Sequence, residues 1–439
     1  MEKQDTKITV LYGPNGSGKT QYVEHLRRQM ADDSVRYLAF SDAYGPATDK
    51  AYYLQLRWNQ HDIDEETPRV GDLLNKSYRQ TGDDTLERRQ LQSQLYQLFE
   101  IEELLDKYVI LLSSGELRKF QLIKTLLANP KVLFLDNPFI GLDAEARQQL
   151  NTLLHSLTAH QDIRLYLLLA KSDDIPDYAD HIIRFPQGES LRSCAQDTDV
   201  AAQFSSLITQ VPVMPTYEST VVIDLHDVSI RYGERTILSH LDWQVRKGEH
   251  WALSGQNGSG KSTLLSLVCA DNPQSYACDI ALFGYQRGSG ESIWDIKRHI
   301  GYVSPEMHRA YMRDLPTINV VASGLKDTVG LYVRTSETEK QLCREWMRLF
   351  GIDNLANRSF ITLSSGEQRL ALVVRAFVKN PDLLILDEPF HGLDDTNRQL
   401  VRTVIEAYCQ QKDKTFVMVT HYESEFPECI NNKLYLKRQ

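Results

Sequence analysis

The chain has 439 residues, of which 42% are hydrophobic and 25% charged, and its net charge is −10 at pH 7. This composition is typical of a globular protein, and the acidic balance argues against nucleic acid as the main partner. We find no apolar stretch long enough to span a membrane and no signal peptide, which predicts a cytoplasmic protein, either free or peripheral at the inner face of the membrane. The six cysteines show no Cys-x-x-Cys spacing and are expected to be isolated thiols.

The first predicted strand, Ile8–Tyr12, leads into a glycine-rich loop and then into a helix. Residues 13–20 read Gly-Pro-Asn-Gly-Ser-Gly-Lys-Thr, the G-x-x-x-x-G-K-T pattern of a P-loop between a strand and a helix. Backbone N–H groups of such a loop surround phosphate oxygens, while the lysine reaches the β- and γ-phosphates and the threonine ligates Mg²⁺. The expected ATP-binding residues here are Gly13, Asn15, Gly16, Gly18, Lys19 and Thr20.

A polar, helix-prone stretch over 61–111 predicts a helical insertion. It is followed by Leu-Ser-Ser-Gly-Glu at 112–116 and by an apolar strand that ends at Asp136. A carboxylate at the end of a buried parallel strand is the Walker B position, which holds Mg²⁺ beside a bound nucleotide. We expect this first domain to span residues 1–186.

Residues 187–220 have a mixed composition, with two prolines and a weak helical patch at 200–208, and predict a linker. A second domain is then expected over 221–439. Its P-loop reads Gly-Gln-Asn-Gly-Ser-Gly-Lys-Ser at 255–262, and its own apolar strand ends at Asp387. The expected ATP-binding residues of this loop and strand are Gly255, Asn257, Gly258, Gly260, Lys261, Ser262, Thr263 and Asp387.

The two domains are copies of each other. With a shift of 251, residues 112–150 and 363–401 share 18 identities in 39 positions. A period this long indicates a duplicated domain rather than a solenoid repeat. Both copies carry Leu-Ser-Ser-Gly-Glu, a strand-end aspartate and Gly-Leu-Asp in the same order.

This series of motifs resembles the nucleotide-binding domains of ABC ATPases, in which the repeated pentapeptide is the signature. The resemblance implies an α/β fold with two P-loop NTPase domains, each with a helical subdomain, and ATP and Mg²⁺ as ligands. Mg²⁺ would be held by Thr20 and Asp136 in one copy and by Ser262 and Asp387 in the other. It also places Tyr232 at the adenine-stacking position; the shortened start of the first copy leaves no equivalent residue there.

The resemblance further implies two ATP sites arranged head to tail, in which the signature of one domain completes the site of the other. The expected signature contacts are Ser113, Ser114, Gly115, Ser364, Ser365 and Gly366. In the second copy Glu388 and His421 match the family's catalytic glutamate and switch histidine. In the first copy Asn137 and Lys171 are expected at these places, so that site should bind ATP and hydrolyse it poorly.

Residues 282–297, from Leu-Phe-Gly to Ile-Trp-Asp-Ile-Lys, resemble the ModF family of tandem ABC proteins. This family is named for molybdate transport and is related to the photorepair protein PhrA. The resemblance implies the ATP-binding component of a molybdate-type importer, with a transmembrane permease as partner. A second hypothesis is a soluble regulatory or repair-linked ATPase, because the family's Q-loop glutamine falls on Pro305. A ribosome-acting ABC-F protein and a protein that only binds nucleotide are further alternatives.

Overall fold

The computed structural model of this chain describes residues 7–30, 34–39, 67–109, 112, 114–139, 142, 144–160, 163–186, 197–211, 216–233, 235–255, 258–305, 307, 311, 314–328, 335–420 and 422–438. The chain divides into two compact units, residues 1–188 and 189–439. Both units contain a five-stranded parallel sheet, which confirms the predicted pair of α/β domains.

The first unit is built on a sheet with the strand order β2-β3-β4-β1-β5. Its strands are β1 (Ile8–Tyr12), β2 (Val35–Ala39), β3 (Val132–Asp136), β4 (Arg164–Leu169) and β5 (His181–Arg184). The central strands are continuous apolar runs because a parallel sheet is covered on both faces, and Val10, Leu133 and Leu167 are fully buried. The carboxyl ends of all the strands meet at one edge, where β1 enters the P-loop.

The helices of the first unit include the predicted helical insertion. They are α1 (Lys19–Met30), α2 (Val70–Gln80), α3 (Leu86–Phe99), α4 (Ser114–Leu126) and α5 (Ala144–His160). Leu74 of α2 and Leu95 of α3 are buried in the same cluster as Ile123 of α4. The insertion therefore packs on the helix that begins at the signature.

The second unit combines two sheets. Its strands are β6 (Val221–Tyr232), β7 (Arg235–Arg246), β8 (His250–Gly255), β9 (Asp279–Leu282), β10 (Tyr285–Gln286), β11 (Ile300–Val303), β12 (Leu383–Asp387), β13 (Thr415–Val419) and β14 (Asn432–Leu436). An antiparallel sheet has the order β10-β9-β6-β7, and the parallel sheet has the order β11-β12-β13-β8-β14. The parallel sheet thus repeats the order of the first unit.

The helices of the second unit cover this parallel sheet and form its helical subdomain. They are α6 (Asp197–Ile208), α7 (Lys261–Val268), α8 (Ile293–Lys297), α9 (Thr317–Ala322), α10 (Glu337–Leu349), α11 (Ser365–Phe377) and α12 (Asp395–Cys409). None of the helices described in either unit combines the length and apolar character that crossing a membrane requires.

Part of the segment predicted as a linker, 187–220, belongs to the core of the second unit. Val200, Phe204 and Leu207 recur at helical spacing in α6 and are buried. The ring of Phe204 meets that of Trp346 edge to face, with the centroids 5.6 Å apart. The segment's mixed polar composition masked this apolar stripe, and α6 packs on the second unit instead of serving as a connector.

The strand register makes the two units directly comparable. Phe134 of β3 pairs with Tyr166 of β4, and Ile385 of β12 pairs with Val417 of β13. Each residue of the second pair lies 251 positions after its counterpart, which is the shift found in the sequence repeat. Positions 251 apart are therefore structural counterparts on β3 and β4 and on β12 and β13.

Candidate nucleotide-binding sites

The second P-loop joins β8 to α7, and its residues 258–262 are described. Gly255 has φ 151°, and a Cβ added there would lie 2.4 Å from the carbonyl oxygen of Leu436, so this close approach requires glycine. Lys261 is the first residue of α7, and its Nζ donates to the Gly255 carbonyl at 2.7 Å. The lysine charge and the N-terminus of α7 together favour a bound anion such as phosphate.

Two acidic residues follow each other at the end of β12. Asp387 and Glu388 are only 8% and 9% exposed. Burial raises the pKa of Glu388 well above its usual range, and the charges of Asp387 and Glu425 raise it further, whereas Arg369 and Lys261 lower it. Glu388 is therefore a buried carboxyl group whose raised pKa results chiefly from its burial, a property that is common at functional sites.

Glu425 is a residue of this site that sequence reasoning missed. It is 5% exposed, and one of its oxygens accepts a hydrogen bond from Thr420 Oγ1 at 2.6 Å. Its other oxygen accepts from Arg398 Nη2 at 2.6 Å. This carboxylate therefore links α12 to Thr420, which directly precedes His421. The sequence signal for this ion pair is weak. It consists of a glutamate four positions after the expected histidine and an arginine in the first turn of the preceding helix.

The same link is present in the first unit. Arg147 of α5 forms an ion pair with Asp174, and these residues lie 251 positions before Arg398 and Glu425. Arg147 also lies over the Phe139 ring at 5.4 Å, as Arg398 lies over Phe390 at 5.7 Å. This arginine–carboxylate ion pair is thus also present in the first unit, where Asn137 replaces the glutamate. Its shared role is to hold the segment after the strand against the helix.

The first P-loop joins β1 to α1. Lys19 is 7% exposed, and its Nζ donates to the carbonyl oxygens of Gly13 and, at 2.7 Å, of Pro14. Gly16 and Gly18 have φ 74° and 89°, the left-handed region that glycine adopts without strain. The loop therefore has the backbone form of a phosphate-binding loop, and its lysine lies against it as in the second unit.

Asp136 in the first unit has a different neighbourhood from Asp387. One carboxylate oxygen accepts from Tyr37 Oη at 2.7 Å, and the other accepts from Asn137 Nδ2 at 2.9 Å. Burial raises the pKa of Asp136, which the hydrogen bond from Tyr37 and the charge of Lys19 partly offset. Asn137 thus occupies the position that corresponds to Glu388. Its side chain donates a hydrogen bond to Asp136, whereas Glu388 has a carboxyl group.

The family model for ABC transporters matches residues 1–140 and 238–391 of this chain. The chain belongs to the ABC transporter family. It is 38% identical to the ABC transporter ATP-binding protein ModF of Escherichia coli, across 96% of this chain and 89% of that protein. An uncharacterized ABC transporter ATP-binding protein of Schizosaccharomyces pombe is 27% identical across 97% and 91% of the two chains.

A solved structure titled as a model of ribosome-bound archaeal Pelota and ABCE1 contains a chain of similar fold. It is 17% identical, with a TM-score of 0.60, and covers 94% of this chain and 70% of that chain. This likeness shows the fold alone. The family membership identifies the chain as an ABC-type ATPase with two nucleotide-binding domains in tandem.

The ABC signature of the second unit begins helix α11 through a capping box. Ser364 is the N-cap, its Oγ accepts from Glu367 N at 3.3 Å, and Glu367 Oε2 accepts from Ser364 N at 2.8 Å. Ser364 and Ser365 are exposed, whereas Gly366 is buried. Both serines are therefore exposed at the helix start, and contact of this segment with nucleotide stays a prediction.

The predicted switch position of the first unit requires a correction. Asn137 N donates to Leu168 O at 2.9 Å, and Glu388 N donates to Val419 O at 2.8 Å, so Leu168 is the counterpart of Val419. His421 then corresponds to Ala170 and not to Lys171. The prediction of Lys171 at the switch position is wrong because the sequence alignment of this strand was displaced by one residue.

Lys171 has another role in the first unit. It precedes the short 3₁₀ helix at Ser172–Asp174, and its Nζ lies 3.7 Å from Asp173 Oδ2. By the strand register, the position of this unit that corresponds to the predicted switch histidine holds Ala170, whose methyl group cannot donate a hydrogen bond.

Other predicted ABC site residues differ in how far the structure describes them. Thr20 and Ser262 are exposed second residues of α1 and α7. The Tyr232 hydroxyl accepts from Asn272 Nδ2 at 3.1 Å, and adenine stacking on its ring stays a prediction. Ser113, Asn257 and His421 lie outside the described residues. Ser114 and Gly115 begin α4, but their contacts are not among those described.

Proposed function

We propose that the second unit hydrolyses ATP, with Glu388 as the base that accepts the proton of the attacking water and His421 as the γ-phosphate contact. The observation that carries this proposal is the buried Glu388 carboxyl, placed directly after Asp387 and raised in pKa. A carboxylate of raised pKa accepts a proton more readily than an ordinary one, provided that it is ionised when ATP is bound. Lys261 and Arg369 favour that ionised form.

Mg²⁺ fits the residues of the second unit. Ser262 and Asp387 supply the hydroxyl and carboxylate oxygens that Mg²⁺ prefers, and they end the P-loop and β12, respectively. When bound, the cation would neutralise charge on the β- and γ-phosphates. In the first unit Thr20 and Asp136 provide the corresponding oxygens.

The first unit, by this proposal, binds ATP and hydrolyses it slowly. Asn137 has no carboxylate, and Ala170 stands where the second unit has its histidine. Lys19 and the glycines of its P-loop nevertheless have the arrangement that phosphate binding requires. The two units therefore share the means to bind ATP and differ in the means to cleave it.

For the cellular role we propose the energy-supplying component of a molybdate-type importer, because the relative that is 38% identical over 96% of the chain is named ModF. A soluble regulatory ATPase is the second candidate. It is favoured by Pro305, which follows β11 where an ABC importer domain has the Q-loop glutamine that begins its permease contact.

The first test is affinity purification of the tagged full chain from crosslinked cells, with its partners identified by mass spectrometry. The second test is whether the chain sediments with ribosomes. An importer component is expected to recover a permease and to support molybdate uptake when restored to a strain that lacks it. Recovery without a permease, together with normal molybdate uptake in the deletion strain, would favour the regulatory role. Co-sedimentation with ribosomes would contradict both.

A further inference from the structure

Three side chains of types that ligate metals, from distant parts of the sequence, meet in the second unit. His250 is the first residue of β8, Cys409 is the last residue of α12, and Cys429 precedes β14. Their donor atoms all lie within 4.8 Å of one another, and His250 and Cys409 are buried. No sequence pattern predicts this cluster, because none of the three residues is close to another in the chain.

The two sulfur atoms are placed for a shared ligand. The Sγ atoms of Cys409 and Cys429 are 3.0 Å apart. Zn²⁺ bonds thiolate sulfur at about 2.3 Å, and tetrahedral geometry then separates two sulfurs by about 3.8 Å. The pair would have to open by less than about 1 Å to receive the ion. Burial raises the pKa of Cys409, and the neighbouring Cys429 raises it further.

His250 adds a third donor and the backbone partner that metal-binding histidines need. Its Nδ1 lies 3.1 Å from the carbonyl oxygen of Cys429, and its Nε2 lies 3.3 Å from that of Lys414. A neutral imidazole has a single N–H group, so only one of its nitrogens can donate a hydrogen bond. The lone pair of the other nitrogen faces the lone pair of a carbonyl oxygen. A small rotation of the ring would let that nitrogen exchange its carbonyl contact for a cation, while the other nitrogen keeps a hydrogen bond to a carbonyl, as is usual for histidine ligands.

The cluster is not needed for the fold at this place. In the first unit the counterparts of the three residues are Ile8, Thr158 and Tyr178. Ile8 pairs with Leu165 of β4 as His250 pairs with Phe416 of β13, and the helix and segment positions follow from the shift of 251. The same corner of the first unit is thus built without a thiol or an imidazole.

We propose that His250, Cys409 and Cys429 form a Zn²⁺ site of the second unit, with a fourth position open to water. The site lies at the amino end of β8, whereas the P-loop lies at its carboxyl end, so the ion takes no part in ATP hydrolysis. It joins the end of α12 to β8 and to the segment before β14. Its effect is to stabilise the second unit.

The test uses the full chain, reduced and freed of metal, with Co²⁺ as a coloured substitute for Zn²⁺. One equivalent of Co²⁺ is expected to give a thiolate-to-cobalt charge-transfer band that Zn²⁺ abolishes. Zn²⁺ should raise the melting temperature of the parent chain. Cys409→Ser and Cys429→Ser should each weaken Zn²⁺ binding by about 100-fold or more, because loss of a residue that only supports a metal ligand already costs about 10–100-fold. Cys278→Ser, a partly exposed cysteine outside the cluster, is the matched control.

A second measurement avoids dependence on variants. In the parent chain, Zn²⁺ should protect Cys429 from iodoacetamide while Cys278 still reacts, as mapped by mass spectrometry. The proposal is overturned if the cobalt band is absent or survives in both cysteine variants. It is also overturned if Cys409 and Cys429 are found as a disulfide and the reduced pair takes up no metal.

Discussion

Asn137 and Glu388 hold the same backbone conformation in the two units. Each has φ 50°, and each donates its backbone N–H to the neighbouring strand, to Leu168 at 2.9 Å and to Val419 at 2.8 Å. A positive φ is uncommon outside glycine and persists only where the surroundings enforce it. Both units therefore keep the turn that presents a side chain at this point, and they differ in whether that side chain is an acid.

Replacement of Glu388 by glutamine should abolish steady-state turnover and leave ATP binding intact. Glutamine keeps the size and turn of the residue but cannot accept a proton, and loss of a general base costs about 10²–10⁴ in rate. Phosphate release and the binding of a fluorescent ATP analogue measure the two properties. The matched control is Glu87→Gln, the same change at an exposed glutamate of α3, which should leave turnover unchanged. Retention of more than a small fraction of activity in Glu388→Gln would show that another group is the base.

The first unit should regain hydrolysis only when two positions are restored together. Asn137→Glu supplies the carboxylate, but Ala170 still offers no hydrogen bond to the γ-phosphate. We expect little gain from the single change and a clear gain from Asn137→Glu with Ala170→His, assayed in a Glu388→Gln background. Asn137→Glu with Lys171→His is the control, because the register excludes Lys171 from the switch position. An equal gain from the control pair would refute this register-based assignment.

The motifs were predictable because their chemistry fixes both residue type and spacing. Both P-loops, the strand ends at Asp136 and Asp387, and the loss of the acid at Asn137 were read directly from the sequence. The helical insertion of the first unit was also predicted, since its polar, leucine-containing stretch favours helix. These features depend on neighbours close in the chain.

The features that sequence reasoning missed depend on contacts between distant segments. Helix α6 has an apolar face within a polar segment, and that face is recognised only when its contact with Trp346 is seen. The switch position required the strand register, because a one-residue displacement places Lys171 where Ala170 lies. Glu425 gained its meaning from Arg398, which lies on another element. Residues whose role depends on a contact with a distant segment form no local sequence pattern.

Removal of the Glu425 charge should shift the acid limb of the pH–rate profile. Glu388 must be ionised to act as a base, so kcat rises as pH rises through its pKa. Glu425 raises that pKa, and Glu425→Gln removes the charge, so the acid limb should move to lower pH. The control is Asp174→Asn, the same change in the first unit, which should leave the limb in place. An unchanged profile in Glu425→Gln would mean that the limb does not report Glu388.

ATP held by the first unit should control turnover in the second. With hydrolysis slow in the first unit, its nucleotide would remain bound while the second unit cycles, and it would favour the state in which the chain turns over. Lys19→Ala should then lower turnover although Lys19 belongs to the first unit. Ser364→Arg, at the signature that the family resemblance assigns to the same nucleotide, should have a similar effect. A coupling of this kind usually amounts to about 5-fold or more.

The measurement is the ATPase rate against ATP concentration for both variants and for Lys131→Ala, an exposed lysine of the first unit that serves as the control. Binding of a fluorescent ATP analogue to a Lys261→Ala chain would first confirm that the first unit retains nucleotide. If Lys19→Ala and Ser364→Arg match the parent in rate and midpoint, the two units work independently. The loss of the acid and the histidine from the first unit would then have no part in the mechanism, because a unit that neither hydrolyses ATP nor governs its neighbour contributes nothing to the cycle.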